Sequence, residues 1–119
     1  MFNLPYHSVC TTSTHDMTPL RNWWKEDPEK TQRYYNHVLQ RIGEAPDECT
    51  AEIVAQIISN HLKTRSMLTI IPLQDWFAMD DSIKRKDIES ERINVPANST
   101  HYWRTGCILR WNSFCRLIT

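Results

Sequence analysis

The chain has 119 residues, 40% of them hydrophobic, with 14 basic side chains balancing 14 acidic ones, a composition suited to one soluble globular domain. Zero formal net charge leaves no basic footprint for a phosphate backbone, and no apolar run approaches the roughly 20 residues needed to span a bilayer. Neither nucleic acid nor membrane is expected as a partner.

Met1-Phe2-Asn3-Leu4-Pro5 lacks the basic and long apolar regions of a secretory signal. Cys10, Cys49, Cys107 and Cys115 share no close or repeated spacing, so neither a zinc ribbon nor a disulfide scaffold is indicated. Reduced thiols in a cytoplasmic protein are the simpler expectation. His7, Cys10, His15 and Asp16 match no standard ligand spacing, and no metal is expected.

The first element is β-favouring. Tyr6 and Ser8 to Thr14 are mostly β-branched, aromatic or small, and the pattern turns helical from Met17 to Trp24. His15 and Asp16 therefore fall at the C-terminal end of a strand, where an α/β barrel keeps its chemistry. A substrate-facing carboxylate at Asp16 competes with a plainer role, an N-cap for the turn from Thr18 to Trp24, and spacing alone favours the cap. His15 could equally be a hydrogen-bonded core histidine. Ser13, His15 and Asp16 are too close in sequence to line up as a hydrolase triad, and no elbow glycines flank the serine.

Asp27-Pro28-Glu29 places a capping carboxylate before a first-turn proline, and Thr31, Tyr35, Val38, Leu39 and Ile42 carry an amphipathic helix to Gly43. Thr50 caps a second helix, whose apolar stripe is Ile53, Val54, Ile57, Ile58 and Leu62 and whose polar side holds Glu52, Gln56 and Asn60. Met67 to Leu73 is a short apolar run ended by Pro72, which suits a strand buried on both faces. Two strands joined by helices make a β-α-β unit with parallel pairing, incomplete as a domain because its sheet needs more strands.

Asp80 to Arg92 alternates in charge and reads as a solvated loop or short helix without chemistry. Ile93 to Thr100 is rich in turn formers and should be a loop. The indoles of Trp23, Trp24, Trp76 and Trp103, with Tyr102, could stack on sugars, although aromatics in α/β proteins more often fill the core. Only Gly43 and Gly106 are glycine, sparse for a complete enzyme with many tight loops.

Ser13-Thr14-His15-Asp16 with Trp23-Trp24, Pro72-Leu73-Gln74-Asp75, Glu91 to Asn98 in an Arg-x-Asn-x-Pro pattern, and His101-Tyr102-Trp103-Arg104 occur in that order. Together they resemble the C-terminal part of the 4-α-glucanotransferases, the amylomaltases or disproportionating enzymes of glycoside hydrolase family 77. The resemblance runs from about Tyr6 to Arg104 and is nearest to the longer forms with starch-binding modules ahead of the barrel. It implies the C-terminal portion of a (β/α)8 TIM barrel, about two parallel strands with their helices. The implied enzyme passes a segment of an α-1,4-glucan to the 4-hydroxyl of an acceptor glucan or glucose, through a covalent glycosyl-enzyme and without a cofactor.

By the same resemblance Asp16 matches the carboxylate that stabilises the transition state, His15 an adjacent sugar-binding histidine, and Asn94 a residue lining the site, while Trp103 and Arg104 close the barrel wall. The nucleophile and the acid/base belong upstream and have no counterpart here. Glu52, Asp75 and Glu91 do not replace them, since the family pattern puts them on a helix, a strand-to-loop junction and a peripheral loop. The expected partners are α-1,4-glucans and maltooligosaccharides, together with the missing upstream part of the enzyme. Without it Val9, Ile70 and Ile71 should be under-buried, and the chain inactive and aggregation-prone. A non-catalytic glucan-binding or interaction module, or an unfolded gene remnant, is the alternative.

Residues 1–104 are thus read as catalytic barrel and 105–119 as a divergent tail. A single base restored after Arg104, with suitable codons, returns the family pattern Tyr-Arg-Met-His-Leu-Thr-Leu-Glu. The tail is therefore expected to be out of frame.

Overall fold

The computed structural model describes residues 3–101. In chain order it contains β1 (Val9–Thr11), α1 (Leu20–Glu26), α2 (Pro28–His37), α3 (Ala51–Leu62), β2 (Leu68–Ile70), α4 (Leu73–Phe77) and one 3-10 turn (Glu89–Glu91). The two strands pair in parallel with Val9 opposite Leu68, Cys10 opposite Thr69 and Thr11 opposite Ile70, so the β-α-β reading holds. The expected tail from Thr105, together with Tyr102, Trp103 and Arg104, lies outside the described residues.

Both predicted caps form. Asp27 Oδ1 accepts from the backbone N–H groups of Glu29 and Lys30 at 3.1 Å each, and Pro28 takes the first helical position. Thr50 Oγ1 accepts from Ile53 N at the start of α3. Helix α2, however, ends at His37 instead of continuing to Gly43, and Ile42 is 99% exposed. The break has a visible cause. Gln40 takes a positive φ of 55°, while Asn36 donates to the carbonyls of Arg41 and Gly43 and Gln32 donates to Gly43 O. Side chains on the last turns of α2 thus hold the chain in a reversal that an apolar period cannot reveal.

The core lies among α1, α2 and α3. Trp24, Ile53, Val54, Ile57 and Ile58 are all 2% exposed or less, joined by Leu20, Leu39, Cys49 and Ala78. Full burial of each such aliphatic side chain contributes about 1.5–3 kcal/mol. Trp24 also donates its indole N–H to Pro46 O at 2.8 Å, and Thr31 Oγ1 donates to Trp24 O at 2.7 Å, which ties α1 to α2 and to the α2–α3 connection. Leu62, expected in the α3 stripe, is instead exposed at the helix's last turn.

The sheet is asymmetric. Period-two alternation puts Val9, Thr11, Leu68 and Ile70 on one face and Cys10, Thr69 and Ile71 on the other. Cys10 is buried and Ile71 packs against the helical core, whereas Val9, Leu68 and Ile70 are 57%, 49% and 59% exposed. The expectation of β2 buried on both faces is therefore corrected: one apolar face is covered and the other is open. Val9 and Ile70 are under-buried, as expected, but Ile71 is not.

Candidate functional site

The loop leaving β1 carries His15 and Asp16 to Asn94, the third predicted site residue, which lies on the loop after Glu91. Thr11 Oγ1 donates to Ser13 O at 2.6 Å, and Met17 N donates to Thr14 O at 3.1 Å, closing a turn whose central residues are His15 and Asp16. Asp16 does not cap α1. That helix begins at Leu20 behind Pro19, with no capping bond from a side chain at that position. Instead Asp16 Oδ1 accepts from Asn94 Nδ2 at 2.5 Å, and Oδ2 stands 3.3 Å from His15 Nε2. The His15 and Asp16 side chains are both about half exposed. Residues 78 positions apart in sequence thus meet at the C-terminal ends of both strands.

Beside the pair, Ser13, Thr14, His15, Met17, Pro19, Pro72, Gln74 and Ile93 line a small cleft of about 30 Å³, so that of the three site residues only His15 is in its wall. The loop bearing Asn94 is fixed on both sides: Arg92 Nε donates to Asn94 O at 3.1 Å, and the His101 ring nitrogen Nε2 donates to Ile93 O at 3.0 Å. A carboxylate oxygen accepts more than one hydrogen bond, so the pair at Asp16 leaves acceptor capacity facing solvent.

Behind the cleft sit polar groups that sequence reasoning placed wrongly. Asp75, expected at a strand-to-loop junction, belongs to the first turn of α4 and is 1% exposed. Its Oδ2 accepts from Thr12 Oγ1 at 2.5 Å and its Oδ1 from Leu20 N at 3.1 Å, supplying the cap that Pro19 cannot. Burial pushes its carboxyl above the usual range, opposed by those two hydrogen bonds and by the nearby His61.

Glu91 is likewise buried, at 2%, and not peripheral. Its Oε1 accepts from Arg21 Nη1 at 3.0 Å, the same nitrogen donates to Arg85 O at 2.8 Å, and Gln74 Nε2 reaches Glu91 O at 3.3 Å. Burial raises the Glu91 carboxyl, and the Arg21 guanidinium pulls it back. Next to it Asn22 Nδ2 donates to Glu89 Oε1 at 2.9 Å. The stretch read as a solvated charge run is therefore docked on α1. Charge alternation could not signal this; the adjacency of Glu91 to the Arg-x-Asn-x-Pro pattern was the available hint.

A second, larger cavity of about 170 Å³ lies between the end of β1 and the helices, lined by Thr12, Met17, Thr18, Leu20, Trp23, Tyr34, Ile57 and His61. Trp23 and Tyr34 meet edge-on there, with ring centroids 5.3 Å apart, and burial pushes the Tyr34 phenol up to about 12. Of the candidate stacking tryptophans, Trp24 is core and Trp76 is 38% exposed. No group of three or more metal-ligating side chains occurs among the described residues, and none of their helices is long and apolar enough to cross a membrane.

Comparison with known proteins gives one family and a short span of it. The family model described as 4-alpha-glucanotransferase, glycoside hydrolase family 77, matches residues 1–109. The chain is 40% identical over 99 residues to the 4-alpha-glucanotransferase DPE2 of Oryza sativa subsp. japonica, which uses 83% of this chain and 10% of the rice protein. It is 31% identical over 99 residues to a 4-alpha-glucanotransferase of Chlamydia trachomatis and 30% identical over 98 residues to that of Chlamydia caviae, in each case 81% of this chain and 18% of the relative. No solved structure gives a significant match.

Proposed function

The chain belongs to the 4-alpha-glucanotransferases of glycoside hydrolase family 77, and from that premise we propose that it is a C-terminal section of a (β/α)8 catalytic barrel acting on α-1,4-glucans. The single observation carrying this reading is the Asp16 carboxylate, bridged to His15 and Asn94 at the C-terminal ends of two parallel strands. The open apolar face of Val9, Leu68 and Ile70 supports the barrel, whose interior is filled by such inward side chains.

In the proposed mechanism Asp16 accepts hydrogen bonds from hydroxyls of the sugar at the cleavage point. Its negative charge then favours the oxocarbenium-like transition state over the neutral ground state. Asn94 holds one carboxylate oxygen by donating to it, which fixes the plane of the group. His15 lies against the other oxygen and offers its ring to a sugar hydroxyl. The nucleophile and acid/base come from upstream sequence, so the chain alone transfers nothing. The free, buried thiols of Cys10 and Cys49 support a reducing, cytoplasmic setting.

Incubation with maltotriose tests the reading. The chain alone should give no longer or shorter oligosaccharides, whereas mixing it with a separately produced upstream barrel fragment should restore disproportionation. In that mixture Asp16→Asn should lower kcat by roughly 10²–10³-fold. Turnover by the isolated chain, or full activity of the Asp16→Asn mixture, would overturn the proposal. Retention on amylose with no turnover in any mixture would favour a glucan-binding module. For the tail, sequencing of the encoding DNA should reveal the family pattern after one restored base; its absence from every frame would end the frameshift reading.

A further inference from the structure

Three consecutive residues at the start of α1 reach two distant segments, α4 and the turn Glu89–Glu91. Leu20 N donates to Asp75 on α4, Arg21 pairs with Glu91, and Asn22 donates to Glu89. All three are 5–6% exposed. The same Asp75 also takes the Thr12 hydroxyl at the exit of β1, so one buried carboxylate pins both ends of the stretch from Thr12 to Leu20. His15 and Asp16 lie inside that stretch. Glu91, held by Arg21, stands three positions before Asn94.

We propose that Asp75 and the Arg21–Glu91 pair are positioning residues: two buried latches on the first turn of α1 that set the Asp16 turn and the Asn94 loop at hydrogen-bonding distance. The Asp16–Asn94 contact joins two loops far apart in sequence, and the Asp16 side chain is half exposed. A half-exposed carboxylate in water gains little from a single amide donor, so the register of the pair comes from what fixes the backbones on either side. Asp75 fixes one of those backbones and Arg21 the other, and both act from the same helical turn. The positioning claim stands independently of any ligand; its catalytic consequence rests on the sugar-binding reading of Asp16.

Nuclear magnetic resonance on the full 119-residue chain tests it. The reporter is the Asn94 side-chain amide, whose resonance without the contact is defined by Asp16→Ala, which leaves no side-chain acceptor. Thr12→Val, which removes one latch bond at nearly constant volume, and Asp75→Ala should each move that resonance toward the Asp16→Ala position, and Glu91→Gln should do so less. Asp75→Asn retains an acceptor for Leu20 N and should move it least. Trp24→Phe, which weakens the core through the lost bond to Pro46, should leave it in place. Backbone exchange at Ile57 in α3 checks folding, and if Asp75→Ala loses that protection, Thr12→Val decides alone. An unmoved Asn94 resonance in Thr12→Val with α3 intact overturns the proposal, as does a shift in Trp24→Phe as large as that in Thr12→Val.

Titration with maltotriose separates the two readings. If maltotriose perturbs the His15 and Asp16 signals of the parent chain, Thr12→Val should weaken that binding roughly tenfold or more. No perturbation in the parent alongside a moved Asn94 signal upholds the latches and removes the sugar reading. Equal binding by parent and variant with Asn94 unmoved does the reverse.

Discussion

The helical layer and the strand ends of this chain are built on opposite principles. Between α1, α2 and α3 the chain buries Trp24, Ile53, Val54, Ile57 and Ile58 almost completely. At the strand ends the apolar residues Val9, Leu68 and Ile70 stay in solvent, while the buried groups are Asp75, Arg21, Glu91 and Asn22. Stability thus comes from non-directional packing in one region, and geometry comes from directional polar bonds in the other. A packed core tolerates small adjustments, whereas a hydrogen-bond network defines one arrangement and leaves an expensive orphan when a partner is removed.

The largest expected effect falls on the helical layer. Trp24→Ala should cost about 3–5 kcal/mol by chemical denaturation, because it opens a cavity and removes the indole bond to Pro46. Breaking the Arg21–Glu91 pair from one side, as in Glu91→Ala, should cost about 3 kcal/mol, since the guanidinium is left buried and unpaired. Replacing both partners, Arg21→Met with Glu91→Leu, should recover much of that loss, and a double-mutant cycle measures it. Full additivity of the two single changes would show that the pair is not coupled and that directional bonding does not set this region's geometry.

Asp75 also makes the polar region sensitive to pH. Its folded-state pKa is raised by burial, so between the unfolded value and the raised one the folded chain binds more protons than the unfolded chain. Its contribution to stability is therefore greatest at acid pH and declines as pH rises through the folded pKa, the reverse of an exposed, paired carboxylate such as Glu48. Glu91 adds to the decline with the same sign. Asp75→Asn should flatten that slope in urea denaturation between about pH 4 and neutrality, and an unchanged slope would count against a raised pKa.

Smaller effects complete the series. Asp27→Ala should lower stability modestly through loss of the α2 cap, read as a small fall in the denaturation midpoint. Ile70→Thr, on the open sheet face, should change the stability of the isolated chain by only about 0.5 kcal/mol or less. The same change should cost several times more once upstream strands cover that face, which calorimetry of the mixture with an upstream fragment can measure.

What the sequence made legible was local. Asp27 and Thr50 announce their helices because a cap is decided by neighbouring residues, and Ile53, Val54, Ile57 and Ile58 announce a buried stripe because period and packing coincide. The early end of α2 was hidden, since it depends on Gln32 and Asn36 folding back on Gly43. Asp75 and Glu91 looked ordinary because their partners lie 55 to 70 residues away, beyond any window of periodicity. His15, Asp16 and Asn94 were singled out by resemblance and by position at a strand end, and their meeting needed the intervening fold.

That α1 draws its N-terminal cap from Asp75 sets an order on synthesis. While the ribosome has delivered only the first two or three helices, Leu20 N has no acceptor and the segment ahead of it cannot settle. The loop that carries His15 and Asp16 should therefore mature only after α4 emerges, long after its own residues were translated. Nascent chains arrested before Asp75 are expected to be cut by protease between Thr12 and Trp24, and chains extended past Phe77 to resist. Equal resistance at both lengths would show that α1 stands without its borrowed cap.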